Sequence, residues 1–231
     1  MDHVCENGEK TPIRLLILDL DGTLADTIGS ICEGVNLAMQ KYGFPERSYE
    51  EVRVAIGNGA RELIRLSMPE AARADGALVD RVFADYNDFY GQTYAHCDCC
   101  YDGILESLNE LKRRGYTLAV LSNKQDVYVK ALVKSLLPEG LISLAAGQTD
   151  LPKKPDPTVP LMMASELGFL PSQTAFIGDS EVDVATAKNA RMLAVGCSWG
   201  YRERAMLVQS GADCILDKPR ELMDLFEERV S

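Results

Sequence analysis

Short apolar runs recur along the chain and alternate with segments whose apolar residues have helical spacing. The first run, Ile13 to Leu20, is nearly continuous and ends in acidic residues, as expected of a parallel strand buried on both faces. Similar runs follow at Leu118 to Leu121, Ile142 to Ala146, Ala175 to Ile177, Leu193 to Val195 and Cys214 to Leu216. Helical spacing is seen between them, as in Ile104, Leu108 and Leu111 ahead of Gly115. This alternation predicts an α/β fold with a parallel sheet and helices on both faces.

The alternation is interrupted after the first run, where helical spacing dominates up to about residue 99. Ser48 and Glu51 fit a capping box that opens a helix. Two apolar stripes lie in the same segment: Ile28, Ile31, Val35, Ala38 and Tyr42, then Leu78, Val79, Val82, Phe83, Tyr86, Phe89 and Tyr90. We therefore expect residues 26–99 to form a smaller all-helical cap domain that acts as a lid, with residues 12–25 and 100–231 forming a Rossmann-like core domain.

The charge of the protein limits its partners. The 231 residues carry a formal net charge of −11, which repels nucleic acid and anionic membrane surfaces. A single small phosphate can still bind where a metal ion, a lysine and backbone N–H groups make one cleft locally positive. The run Ile13 to Leu20 is too short for a membrane span, and Met1 to Thr11 lacks the pattern of a signal peptide. We expect a cytoplasmic protein without nucleic-acid or membrane partners.

Seven cysteines are scattered over the chain, and nothing in their spacing indicates a disulfide framework. The one cluster is His96-Cys97-Asp98-Cys99-Cys100. A zinc site there would need a second ligand pair, and neither Cys197 nor Cys214 belongs to a C-x-x-C motif. Reduced thiols near a domain joint are the favoured interpretation.

The candidate chemistry begins directly after the first strand. Asp19 and Asp21 are two residues apart, so their side chains project to the same side of an extended chain and can share one site. Two close carboxylates repel each other unless a cation neutralises them or one takes up a proton. Gly22 allows a sharp turn, and the Thr23 hydroxyl can orient the first carboxylate. Taken alone, the segment could equally be a strand-closing turn with solvated acids.

Three further polar motifs follow later predicted strands, in an order that points to one family. They are Ser122-Asn123-Lys124, Lys154-Pro155-Asp156-Pro157 and Gly178-Asp179-Ser180-Glu181-Val182-Asp183. Each alone could be a helix cap, a solvated lysine or a turn, and the neighbouring Lys153 leaves a one-residue ambiguity. Together with Asp19 to Asp26, which reads D-x-D-G-T-L-x-D, they resemble the four motifs of the haloacid dehalogenase superfamily.

The resemblance implies a phosphatase mechanism. Mg²⁺ would be held by the Asp19 carboxylate, the Asp21 backbone carbonyl and the Asp179 carboxylate, with Asp183 supporting this set. Asp19 would attack phosphorus to form an aspartyl-phosphate, and Asp21 would act as general acid and then as general base. The substrate-binding residues implied by the resemblance are Ser122, Asn123 and Lys154, and Thr23 orients the site.

The whole chain after the first dozen residues resembles the phosphoglycolate phosphatase-like branch, which carries a helical cap after the first motif. Ser198-Trp199-Gly200-Tyr201 also looks like that branch, although a buried aromatic corner explains it equally well. In the cap, Gly57 to Arg61 could be a flexible specificity loop that places Arg61 near a substrate carboxylate or distal phosphate. The alternative is a solvated Arg61 in the first turn of a helix.

We expect a small phosphate ester as substrate and a monomer or homodimer. A pyrophosphatase or a nucleotidase of similar architecture stays open. A sugar-phosphate mutase usually has an E-D-S-x-A-G fourth motif, unlike Gly178 to Asp183, and a dehalogenase or a phosphorelay receiver fits Asp21 poorly. The alternative from another class is a non-catalytic phosphate-binding regulatory protein, although no motif acid is missing.

Overall fold

The computed structural model describes residues 3–4, 10–94, 96 and 99–227. Its strands, in chain order, are β1 (His3–Val4), β2 (Lys10–Thr11), β3 (Leu15–Leu18), β4 (Ala25–Asp26), β5 (Cys99–Cys100), β6 (Thr117–Gln125), β7 (Leu144–Gln148), β8 (Thr174–Gly178), β9 (Leu193–Cys197) and β10 (Cys214–Leu216). The α-helices are α1 (Ile28–Lys41), α2 (Tyr49–Ala55), α3 (Ala60–Ser67), α4 (Gly76–Thr93), α5 (Ile104–Arg113), α6 (Asp126–Leu136), α7 (Thr158–Glu166), α8 (Glu181–Asn189), α9 (Arg204–Gln209) and α10 (Glu221–Leu225). Short 3₁₀ turns lie at Glu70–Ala72 and Pro171–Gln173.

Six strands form one sheet in the order β10-β9-β8-β3-β6-β7, and every neighbouring pair is parallel. The helices that connect them flank the sheet. This architecture confirms the predicted α/β fold, and each apolar run singled out in the sequence overlaps one of the six strands. Because β3 lies between β8 and β6, its carboxyl end lies next to those of two other strands.

The burial of β3 on both faces explains its continuous apolar run. Leu16 and Leu18 pack in the hydrophobic cluster on one side of the sheet, whereas Leu15 and Ile17 pack in the cluster on the other side. All four side chains are fully buried. The alternation of side chains along a strand divides them between the two helical layers, so β3 is fixed in register by packing from both sides.

The segment between β4 and β5 contains four α-helices, and we call residues 26–99 the helical insertion. β4 and β5 pair antiparallel, which brings the start and the end of the insertion side by side. Its helices enclose a hydrophobic cluster of their own that includes Val35, Met39, Val82 and Tyr86. The division of the chain into a core and a cap domain at these residues stays a prediction.

The capping box of α2 is present as expected, with Ser48 and Glu51 bonded reciprocally. The sequence predicted the start of α3 only as the alternative to a flexible loop. Gly59, with φ 85°, stands just before this helix, so the segment treated as a flexible loop already contains its first turn. No helix in the described part of the chain is both long and apolar enough to cross a bilayer. In the thiol cluster Cys99 is exposed, and Cys97 and Asp98 lie outside the described residues.

Candidate active site

Polar side chains meet at the carboxyl ends of the three central strands. Asp19 follows β3, Ser122 lies near the end of β6, and Asp179 follows β8. Ligands of open parallel sheets bind at this edge. A cavity of about 60 Å³ lies here, bordered by these residues on one side and by the helical insertion on the other.

Asp19 is buried and has a cation beside it. Lys154 Nζ lies 2.9 Å from Asp19 Oδ1, but this oxygen accepts no well-directed hydrogen bond. Burial raises the pKa of Asp19 to about 7; Lys154 opposes the shift, and the nearby carboxylates of Asp183 and Asp21 add to it. An inward-facing carboxylate oxygen without a hydrogen atom directed at it has the character of a metal ligand.

Lys154 is held at the base of the cavity by a second carboxylate. Its Nζ donates to Asp183 Oδ1 at 2.7 Å, while Asp183 Oδ2 accepts bonds from the Ser180 backbone N–H and hydroxyl at 3.1 and 2.6 Å. Burial disfavours the charged ammonium, yet Asp183 and Asp19 raise the pKa of Lys154 above its ordinary value. The lysine is therefore a fixed positive charge. The neighbouring Lys153 points elsewhere, to the Asn58 carbonyl, which resolves the ambiguity in this motif.

Asp179 is oriented by groups from two distant segments. Thr23 Oγ1 donates to its Oδ1 at 3.2 Å, and the Tyr201 backbone N–H donates to its Oδ2 at 2.7 Å. Burial, with Asp183 and Asp19, raises the pKa of Asp179 well above its ordinary value. The expectation that Thr23 orients Asp19 was wrong, because the turn at Gly22 carries the threonine side chain to the neighbouring strand end.

Glycines allow the chain to approach Asp179 closely. A Cβ on Gly22 would lie 2.5 Å from Asp179 Oδ2, and φ at Gly22 is 83°. A Cβ on Gly200 would lie 2.2 Å from the Gly22 carbonyl and 2.4 Å from Asp179 Cβ. Both positions therefore need glycine to bring Asp179 against the turn after β3. Gly200 and Tyr201 belong to the stretch for which sequence left two interpretations open.

Asp21 is held by two donors on one oxygen. Its Oδ1 accepts from Thr27 Oγ1 at 2.6 Å and from Lys124 Nζ at 2.7 Å. Thr27 in turn lies 3.0 Å from the Tyr201 hydroxyl, and the Lys124 ammonium lies 4.9 Å from the centroid of the Tyr90 ring. Lys124 belongs to the second polar motif, but the sequence alone indicates no role for it. The missed signal is that Lys124 lies two residues after Ser122 on β6, so that both side chains project to the same face of the strand end.

A group of acidic side chains fits a hard divalent cation. Carboxylate oxygens of Asp19, Asp179 and Asp183 lie within 4.8 Å of one another. An all-oxygen donor set suits Mg²⁺, and the buried Asp19 Oδ1, which accepts no well-directed hydrogen bond, has lone pairs available to it. Both oxygens of Asp183 are already engaged by Lys154 and Ser180, which matches a supporting role for this residue.

Ser122 and Asn123 both border the cavity, but their side chains form hydrogen bonds with different partners. Ser122 Oγ accepts the Lys124 backbone N–H at 3.3 Å. The Asn123 amide bonds the backbone of Lys154, accepting at 2.9 Å and donating at 3.0 Å, and it donates to the Gly57 carbonyl at 2.9 Å. The Asn123 side chain thus joins Lys154 to the helical insertion, and a substrate-binding role for Asn123 stays a prediction.

Of the two interpretations that the sequence left open for Arg61, the structure agrees with the solvated arginine in the first turn of a helix. Arg61 lies in the first turn of α3, pairs with Asp80 at 2.7 Å and is 49 % exposed, so the helix turns it outward. The arginine that borders the cavity is Arg202. It pairs with Glu181 at 3.1 Å, and no motif in the sequence distinguished it from other surface arginines.

Polar contacts connect the core to the loop at residues 56–59. Arg202 donates to the carbonyls of Arg53, Val54 and Ile56 at 2.8, 3.3 and 2.6 Å. Asn123 and Lys153 bind the next two carbonyls, those of Gly57 and Asn58. These bonds hold the loop against the carboxyl ends of the strands, so the helical insertion forms the outer wall of the cavity.

Comparison with known proteins agrees with this geometry. Residues 16–197 match the model of the haloacid dehalogenase-like hydrolase family. The chain is 31% identical over 221 residues to a phosphoglycolate phosphatase of Haemophilus influenzae, covering 93% of this chain and 99% of the relative. It is 31% identical over 214 residues to one of Pseudomonas putida, covering 91% and 78%.

Solved structures have the same architecture. A candidate phosphoglycolate phosphatase from Lactobacillus delbrueckii subsp. bulgaricus superposes with a TM-score of 0.87 at 27% identity, covering 94% of this chain and 99% of that one. The family model alone spans most of the chain. The chain therefore belongs to the haloacid dehalogenase-like hydrolase family, as the four sequence motifs indicated.

Proposed function

We propose that this protein is a Mg²⁺-dependent phosphatase that hydrolyses a small phosphate monoester through an aspartyl-phosphate at Asp19. The observation that carries the proposal is the cluster of Asp19, Asp179 and Asp183 around the buried ammonium of Lys154. The names of the relatives from Haemophilus influenzae and Pseudomonas putida support phosphatase activity.

The residues that would hold the metal are those inferred from the sequence: the carboxylates of Asp19 and Asp179 and the backbone carbonyl of Asp21. When bound, Mg²⁺ supplies positive charge that offsets the phosphate oxygens. Thr23 and the Tyr201 N–H hold the Asp179 carboxylate in place. Asp183 acts indirectly, since its carboxylate holds the Lys154 ammonium in place.

In the first half-reaction an Asp19 carboxylate oxygen forms a bond to phosphorus, and the bond from phosphorus to the ester oxygen breaks. Lys154 neutralises phosphoryl charge that would otherwise repel an anionic nucleophile. The Ser122 hydroxyl and nearby backbone N–H groups hold phosphoryl oxygens. Asp21 delivers a proton to the leaving oxygen, so an alcohol departs.

In the second half-reaction water attacks the phosphorus of the aspartyl-phosphate. Asp21, now a carboxylate, takes a proton from that water, and the bond between phosphorus and the Asp19 oxygen breaks to release inorganic phosphate. Asp19 returns to its carboxylate form and Asp21 to its acid form. The bonds to Thr27 and Lys124 keep Asp21 aimed at the cavity through both steps.

Phosphoglycolate, named in the relatives, is the reference substrate, and the helical insertion is the proposed cap that encloses it. Pyrophosphate, nucleotides and phosphate transfer back to a sugar are the alternatives within the family. A phosphate-binding regulatory protein is the alternative from another class. Cytoplasmic location and a monomeric or homodimeric state stay predictions.

The test is turnover of p-nitrophenyl phosphate with Mg²⁺ by the wild type and by Asp19→Asn. We expect the substitution to lower kcat by at least about a thousandfold, because the nucleophile is lost. Mass spectrometry of the acid-quenched wild type should detect phosphate on Asp19. Asp102→Asn, which changes an exposed aspartate, should keep wild-type kcat. Equal rates for wild type and Asp19→Asn would remove the proposal.

A further inference from the structure

We propose that Lys124 determines substrate specificity by binding a carboxylate on the carbon next to the ester oxygen, so that phosphate esters of 2-hydroxy acids are the preferred substrates. The inference rests on the proposed phosphatase activity and deepens it by naming the residue that recognises the leaving group. The candidate for this role in the sequence, Arg61, faces solvent and pairs with Asp80.

The ammonium of Lys124 is buried and has donors without an acceptor. Its side chain borders the cavity and is 7% exposed. An ammonium group has three N–H donors, but within the described residues Nζ has one oxygen acceptor, Asp21 Oδ1 at 2.7 Å. The ring of Tyr90 also packs against it, with the centroid 4.9 Å away. Because unpaired donors are costly in a buried group, a second anion beside Lys124 would be stabilised.

The other two cations that border the cavity have different positions and partners. Lys154 lies 2.9 Å from Asp19 and 2.7 Å from Asp183, so its charge acts where the nucleophile meets the phosphoryl group. Arg202 donates one bond to a carboxylate and three to backbone carbonyls at the end of α2, which leaves one of its N–H donors. Lys124 is therefore the cation with donors for the organic part of the substrate.

The bond between Lys124 and the proposed acid places the ammonium beside the leaving group. Thr27 and Lys124 both donate to Asp21 Oδ1, so Oδ2 is the oxygen of Asp21 that can approach the ester oxygen. A general acid acts within about 2.6–3.2 Å of the atom that it protonates. A carboxylate one carbon away from that atom can then reach Lys124, which has enough donors to bind it and Asp21 together. Asp21 carries its proton at this step and does not repel the carboxylate.

The apolar side chains of the helical insertion strengthen this contact. Those that border the cavity include Ile31, Leu63, Tyr86 and Tyr90, and the two tyrosines are buried with their rings stacked at 5.5 Å. Because this wall limits water near the ammonium, a pair of opposite charges gains more there than in open solvent. A neutral ester of the same shape would leave the donors of Lys124 unpaired, so it should be a poor substrate.

The first test compares two esters of nearly the same shape, 2-phosphoglycolate and isobutyl phosphate, in which two methyl groups replace the carboxylate oxygens. With Mg²⁺ and wild-type protein, we expect kcat/KM for 2-phosphoglycolate to exceed that for isobutyl phosphate by at least about tenfold. We call the quotient of the two values the carboxylate preference.

Substitution of Lys124 provides the second test. Lys124→Met should reduce the carboxylate preference by at least about tenfold, because a charged donor is lost. The lost bond to Asp21 slows both esters alike and cancels in the quotient. Lys124→Arg, which keeps a charged donor, should restore much of the preference. Lys134→Met, which changes an exposed lysine in the last turn of α6, should leave it at the wild-type value.

A crystal structure of Asp19→Asn with 2-phosphoglycolate and Mg²⁺ examines the contact directly and does not depend on the folding of a Lys124 variant. We expect a carboxylate oxygen of the substrate within about 3.2 Å of Lys124 Nζ. A carboxylate bound to another residue would overturn the inference.

The kinetic outcomes separate this inference from the proposed function. Absence of Mg²⁺-dependent turnover for every ester, p-nitrophenyl phosphate included, would end the proposed function and the inference with it. Equal kcat/KM values for the two esters in the wild type would overturn the inference alone and leave phosphatase activity standing. An unchanged carboxylate preference in Lys124→Met would do the same.

Discussion

At the scale of single residues, Lys124 has the clearest role that the sequence did not assign. It shares Asp21 Oδ1 with Thr27, and its ammonium lies over the ring of Tyr90. These contacts fix both the position of the lysine and the direction of the proposed acid. We therefore regard Lys124 as a positioning residue for Asp21.

Lys124→Met should lower kcat by about ten- to a hundredfold with a smaller change in KM, because Asp21 loses one of its two donors. Lys124→Arg, which restores a charged donor, should recover part of kcat. Steady-state kinetics with p-nitrophenyl phosphate and Mg²⁺ measure both. Lys134→Met, which alters an exposed lysine in the last turn of α6, is the matched control. An unchanged kcat in Lys124→Met would show that the bond to Asp21 has no catalytic consequence.

The positions of the acids could be predicted from sequence, whereas their partners could not. Asp19 lies at the end of the first apolar run and Asp179 just beyond the run Ala175 to Ile177, so the rule that parallel strands end at one edge places them together. Thr23 bonds a residue 156 positions away, and Arg202 is selected only by where the insertion packs. Such choices depend on tertiary contacts that no local pattern encodes. The outward direction of the Arg61 side chain, in contrast, depends on a local feature, which is the residue at which α3 begins.

At the scale of elements, the end of α2 is capped by the core. The last carbonyls of a helix lack partners within it, and they carry partial negative charge. Arg202 supplies donors to the carbonyls of Arg53, Val54 and Ile56, while Arg53 returns a bond to the Tyr201 carbonyl. These reciprocal hydrogen bonds join α2 to the segment that orients Asp179.

Arg202→Ala should loosen this junction and raise KM several-fold. Hydrogen bonds from a charged donor are worth about 1.5–3 kcal/mol each, so amide exchange in residues 49–59 should become at least about tenfold faster. Hydrogen-exchange mass spectrometry reports the second effect directly. Arg204→Ala removes an arginine two positions away that pairs with Asp217 and is 52% exposed, and it should change neither quantity. Unaltered exchange in Arg202→Ala would contradict a capping role.

At the scale of the whole molecule, we expect the buried acids to make stability depend on both pH and metal. The pKa of Asp19 is about 7 in the folded protein against 3.8 ordinarily, so between about pH 4 and 7 the folded state binds a proton that the unfolded chain does not. The contribution of Asp19 to the free energy of unfolding therefore falls as pH rises through this window. Asp179 shifts in the same direction.

We expect Mg²⁺ to raise the melting temperature more at pH 8 than at pH 5, because the ion offsets carboxylate repulsion that protonation already relieves at low pH. Differential scanning calorimetry with chelator or with Mg²⁺ measures this. In Asp19→Asn the difference between the two pH values should shrink. A shift of equal size at both pH values in the wild type would contradict the prediction.

The antiparallel pairing of β4 with β5 has a consequence for the history of such a chain. The chain enters the helical insertion at β4 and leaves it at β5, and these two strands lie one strand spacing apart, about 4.8 Å. Residues 27–98 can thus be exchanged for another segment of any size through a single seam, with the order of the six parallel strands unaltered. On the proposed division of roles, the core residues that carry the chemistry and the insertion residues that border the substrate can change independently of each other.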